Sequence, residues 1–159
     1  MKGVAYVFCR PSGANGFGHV GGAFQLSDGR FRCFGTENPT GGPYVAAAHK
    51  GFWQVDCTEA GVVPAFRQSR VLEGITCPPY NFYKILEQTN PNYGKALDTL
   101  QWCSQQDYAI LSPAIVKSRT CEDDVCDTLS AYGLWMPWTV TYPAPNAWFG
   151  VINAHMYPV

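Results

Sequence analysis

Hydrophobic and polar positions change their period near the middle of the chain. Residues 3–9, "GVAYVFC", are β-branched and aromatic and run into the glycine-rich "PSGANGFG", which predicts a strand closed by a loop. "HVGGAFQL" and "RFRCFGTEN" flank "SDG", where Asp-Gly tolerates the positive φ of a tight turn, so a hairpin is predicted over about 18–37. Phe52 to Val55 predict a strand around Gly51 to Asp56, and "AFRQSRVLEGIT" predicts one more. Beyond that point the spacing turns helical. "CPPYNFYKILEQTN" sets Phe82, Ile85 and Leu86 on one stripe behind Pro78 and Pro79, and "KALDTLQWCSQQ" repeats the stripe with Ala96, Leu97, Leu100 and Cys103, predicting two consecutive helices. "DYAILSPAIVKS", split by Pro113, reads as an extended connector, and "TCEDDVCDTLSAYG" as another helix. The tail holds two β-like runs around a proline-rich turn. With no internal repeat and no linker, residues 1–159 form a single α+β domain, an antiparallel sheet packed against a cysteine-bearing helix.

Composition narrows the function classes. The formal charge is -1, from 11 basic and 12 acidic residues that intermingle, so the footprint expected of a nucleic-acid or anionic-membrane partner is missing. No apolar stretch approaches the roughly 20 residues a spanning helix needs, so no membrane span is expected. The amino-terminal apolar run is too short for a signal-peptide core and ends at Arg10 and Pro11. Seven cysteines without paired spacing and without an export signal then imply reduced thiols and a cytoplasmic location. Phosphate loops and dinucleotide fingerprints are absent, because the glycine-rich "GANGFGHVGG" precedes a strand instead of opening a helix, and no cofactor is expected. A metal site is not expected either. Cys121 and Cys126 would sit at unfavourable angles on one helix, and no second close pair exists.

The chemistry that remains is that of a thiol. At about 100° per residue, Val125, Leu129 and Tyr132 lie on the same side of the helix as Cys121, while Cys126 lies about 140° away. Cys121 would occupy the first turn behind a Thr120 N-cap, where unpaired N–H groups and the macrodipole favour a thiolate and could cradle an oxyanion. Against this, Glu122, Asp123 and Asp124 crowd the helix start with negative charge, which disfavours a second anion. The alternative is that Cys121 is a small buried residue.

A base is available. His19 opens the second strand in "FGHVGGAF", where Gly21 and Gly22 leave room for something to approach. A two-residue Asp28-Gly29 turn would set His19 opposite Asn38; a three-residue Ser27-Asp28-Gly29 loop would set it opposite Glu37. Patterning favours Asn38, since that register also pairs Phe24 with Cys33 and Leu26 with Phe31 on one apolar face. A bulge would restore Glu37. His49 falls in a loop, and His155, near the carboxyl end, is a rival base.

Taken together, "GHVGGAF", "FGTEN" and "TCEDDV" resemble the histidine strand, the polar strand and the Asn-Cys-Glu-His-Phe-Val helix start of circularly permuted papain-like proteins, the NlpC-type and lecithin:retinol acyltransferase-like group. The resemblance spans about residues 3–133. It implies a thiol-dependent hydrolase or acyltransferase acting on an amide or ester through an acyl-enzyme, with Cys121 as nucleophile, His19 as base and Glu37 or Asn38 as orienter. It also implies a peptide, peptidoglycan-like or acyl-lipid substrate. The chain departs from the pattern in having Thr120 in place of asparagine, an acidic run after the cysteine, and a helical insertion from about Pro78 to Ser118. A non-catalytic binding domain on the same shell, with tryptophans as contacts, is the alternative function.

Overall fold

The computed structural model describes residues 2–13, 16–37, 51–72, 74–107 and 119–159. In chain order its elements are β1 (Gly3–Arg10), β2 (His19–Gln25), β3 (Phe31–Thr36), β4 (Phe52–Cys57), α1 (Glu59–Arg67), β5 (Arg70–Leu72), β6 (Ile75–Cys77), β7 (Phe82–Gln88), α2 (Tyr93–Cys103), α3 (Cys121–Tyr132), α4 (Pro145–Val151) and β8 (Met156–Pro158). Six of the strands form one antiparallel sheet in the order β4-β3-β2-β1-β7-β8, and β5 pairs with β6 apart from it. The architecture is mixed α+β.

Both faces of the sheet are covered. Val20, Phe24 and Phe34 point into a core shared with Val125, Leu129 and Tyr132 of α3 and with Trp148 of α4. Tyr6, Phe8, Phe31 and Trp53 point the other way, onto Val62 and Phe66 of α1 and onto Tyr80. There the Phe8 and Phe66 rings stack with centroids 3.6 Å apart. Each such aromatic, fully withdrawn from water, contributes about 1.5–3 kcal/mol.

This two-sided burial decides the hairpin register. β2 pairs with β3 through Gly21 opposite Gly35, Gly22 opposite Phe34 and Ala23 opposite Cys33. The connection is therefore the three-residue loop, with Leu26 N donating to Arg30 O at 2.7 Å and Gly29 at φ 86°. The register favoured by a single apolar face is wrong because no face had to be polar: Phe24 stands opposite Arg32, whose guanidinium is taken up by Asp56. Continued two steps past the ladder, this register aligns His19 with Glu37. Asn38 and His49 lie outside the described residues, as does most of the "DYAILSPAIVKS" connector.

Three other expectations are corrected. The Phe82, Ile85, Leu86 segment is strand β7, hydrogen-bonded along β1, so the stretch from Pro78 is not wholly helical and α2 is the single helix described in it. Apolar residues filling both faces of an inner strand mimic a helical stripe. "AFRQSRVLEGIT" is the end of α1 followed by β5 and β6, with Val62 and Phe66 one turn apart on the buried side. In the tail, only Met156–Pro158 returns to the sheet, beside β7, and the run before it is α4, opened by Pro145 in its first turn.

Candidate active site

The amino end of α3 is built by its own sequence. Thr120 is the N-cap, with extended backbone, and its Oγ1 accepts from Asp123 N at 3.1 Å while Asp123 Oδ2 accepts from Thr120 N at 2.9 Å. This reciprocal capping box fixes Cys121 as the first helical residue, where the thiol is 3 % exposed. At the far end Gly133 adopts φ 110° and closes the helix.

The acidic run that seemed to oppose a thiolate is dispersed. Asp123 is spent on the cap and also accepts from Thr139 Oγ1 at 2.7 Å. Asp124 accepts from Arg119 Nε at 2.7 Å and from Thr36 Oγ1 at 2.7 Å. Glu122 is buried and Oε1 has no partner; burial, with the neighbouring charges of Cys121 and Asp123, pushes its pKa up to about 9. At neutral pH it is therefore an uncharged acid, and adds no anion beside the thiol.

His19 is buried at the start of β2, 3 % exposed. Its Nε2 stands 3.1 Å from Glu37 Oε2, a charge contact off the line of a hydrogen bond. Cys121 of α3 lies close enough for its charge to act on the ring. Burial opposes the charged ring, but the negative charges of Glu37 and Cys121 outweigh it and raise the His19 pKa to about 10. Glu37 itself is 2 % exposed. Burial would raise its pKa, yet His19 and Arg10 hold it well below the ordinary carboxylate range.

Two further groups hold Glu37, and sequence reading missed both. Arg10 Nη2 donates to Oε2 at 3.0 Å, and Tyr80 OH donates to Oε1 at 3.1 Å. Arg10 also donates to Pro78 O and is directly opposite His19 in the β1–β2 ladder. Arg10, His19 and Glu37 thus form one row across three strands. By alternation that row belongs to the α1 side of the sheet, whereas α3 packs on the other side, and Cys121 acts on the ring from there. The Arg10 pairing was hidden because the long loop before His19 fixes no register, unlike a tight turn. Tyr80 is adjacent to nothing in sequence that marks it.

No family model matches the chain, and no curated protein or solved structure is significantly similar to it.

The remaining candidates fall elsewhere. His155 is exposed and packs edge-on against Tyr157, with ring centroids 4.6 Å apart. Cys126 Sγ points to Pro137 O at 3.5 Å, and burial pushes its pKa up to about 11. Cys9, by contrast, is a neighbour of Cys121; burial and that neighbour's charge push it up to about 12, and its Sγ faces Asn146 Oδ1 at 3.6 Å. Among the described residues, no group of three His, Cys, Asp or Glu side chains is arranged to hold a metal ion, and no helix is long and apolar enough to cross a membrane.

Proposed function

We propose that the protein is a thiol-dependent hydrolase or acyltransferase that acts on an amide or ester, on a circularly permuted papain-like scaffold. The observation that carries this reading is the Cys121 thiol at a helix start beside a buried histidine whose far nitrogen faces a buried, ionised Glu37. In this mechanism the proton of the Cys121–His19 pair rests on the ring, as its raised pKa favours, and the Cys121 sulfur attacks the substrate carbonyl carbon. The tetrahedral oxyanion lies against the amide N–H groups at the α3 start, of which Asp123 N and Asp124 N already serve Thr120 and the Cys121 amide is nearest the thiol. His19 then gives its proton to the leaving amine or alcohol, leaving an acyl-cysteine. Water, or an acceptor amine or alcohol, attacks that acyl group, with His19 receiving the acceptor's proton and returning it to sulfur. Glu37 holds the ring in position and stabilises the imidazolium between the two steps.

The test is acylation of the purified protein by a p-nitrophenyl ester, read by peptide mass spectrometry. The acyl group is expected on Cys121, absent in Cys121→Ala and unaffected in Cys126→Ala. Equal acylation of Cys121 and Cys126 sinks the proposal.

A further inference from the structure

Arg10 is a buried cation with no place in the steps above. It is 7 % exposed, and it shares a single carboxylate oxygen, Glu37 Oε2, with His19: Nη2 at 3.0 Å on one side and Nε2 at 3.1 Å on the other. The two cationic groups therefore stand within about 6 Å of each other, where like charges repel and compete for the same anion. The groups facing the ring are Arg10 from β1, Glu37 from the end of β3, Tyr80 from the segment before β7, and Cys121 from α3; Arg70 of β5 and Cys77 of β6 lie further out around Glu37.

Resting on the Cys121–His19 reading above, we propose that Arg10 is a positioning residue that neutralises Glu37 and so keeps the His19 ring able to release its proton to the leaving group. The charge count supports this. Arg10 and Glu37 cancel, so the Cys121–His19 pair exchanges its proton within a neutral surround. Without Arg10 a bare carboxylate would face the ring, and the imidazolium would hold its proton to higher pH. Burial makes the effect large, since neither charge is screened by water.

Negatively charged iodoacetate is drawn to an imidazolium and neutral iodoacetamide is not, so the ratio of their rates at Cys121, read by peptide mass spectrometry, falls as His19 loses its proton. The pH midpoint of that fall is the measurement. In Arg10→Gln, which keeps a polar side chain without the charge, the midpoint is expected to rise by about one pH unit or more. Arg10→Lys, which retains the charge, is expected to stay near the wild-type midpoint. A folded R10Q protein with an unchanged midpoint overturns the proposal. If R10Q does not fold, the comparison is made in the Glu37→Gln protein, where the Arg10 charge acts on the ring unopposed; removing it must raise the midpoint, and an unchanged midpoint again overturns the proposal. A wild-type protein whose rate ratio has no midpoint at all refutes the Cys121–His19 pairing itself, a result distinct from the failure of Arg10.

Discussion

Thr36 Oγ1 donates to the Asp124 carboxylate at 2.7 Å, and this bond joins the last residue of β3 to the first turn of α3. Alternation along the strand turns the next residue, Glu37, to the opposite side and toward His19. One dipeptide thus holds the helix that bears the thiol and the carboxylate that faces His19. Thr36→Val keeps the shape and removes the donor, leaving Asp124 to Arg119 alone. We expect a loss of about 1–2 kcal/mol in urea unfolding, together with slower acylation of Cys121. Full stability with unchanged acylation would show that Arg119 alone fixes the helix end.

Stability should follow the ionisation of the buried row. His19 binds its proton more tightly folded, with a pKa near 10 against an ordinary 6.5, so its contribution is complete below about pH 6.5 and is lost as pH rises through 10. Glu37 runs the other way. Its depressed pKa gives a contribution present above the ordinary 4.5 and lost as pH falls below it. Urea unfolding of His19→Gln should show a shallower alkaline decline, and that of Glu37→Gln a shallower acid one; a variant that keeps the wild-type slope contradicts the assignment.

Glu122 makes a second contribution to the alkaline decline. With a folded pKa near 9 against 4.5, it favours the folded state at low pH, and that advantage fades as pH rises through 9. Glu122→Gln mimics the neutral acid, so the difference in unfolding free energy between pH 5 and pH 9 should shrink while stability at pH 5 is nearly unchanged. Glu122→Ala, which leaves a void, should lose stability at both. Equal pH slopes for wild type and E122Q would mean that the carboxyl is charged in the fold.

Gly21 admits a close approach. A Cβ there would stand 2.9 Å from Tyr80 OH and 2.9 Å from Phe66 Cε1. Gly21→Ala should therefore push Tyr80 off Glu37 Oε1, costing about 1–3 kcal/mol of stability by thermal unfolding. It should also reduce Cys121 acylation more than Tyr80→Phe does. If G21A is as stable as wild type, Tyr80 is not seated as described.

Much of this was legible in the sequence, for local reasons. β1, the hairpin, β4 and the Thr120 cap each carry a signal within a few residues. Gly21 and Gly22 did announce a close approach, and the neighbours are the Phe66 and Tyr80 side chains and the Phe34 ring. What escaped was long-range. β7 passed for a helix because an inner strand with Lys84 buried against carbonyls of α4 shows no alternation. Val62 and Phe66 share the buried face of α1, but Pro64 between them interrupts the helical pattern in the sequence. Arg10 and Tyr80 reach Glu37 from segments whose pairing no tight turn dictates.

The Ser27-Asp28-Gly29 loop is remote from the thiol, yet it selects the companion of His19. Shortening it by one residue would slide β3 along β2 and turn every β3 side chain to the opposite face, withdrawing Glu37 and its pairing with Arg10 from the ring. The identity of the third member of the site is thus written in the length of a surface turn. Deletions there, though they touch no site residue, could convert a carboxylate-supported thiol into a differently supported one in a single event.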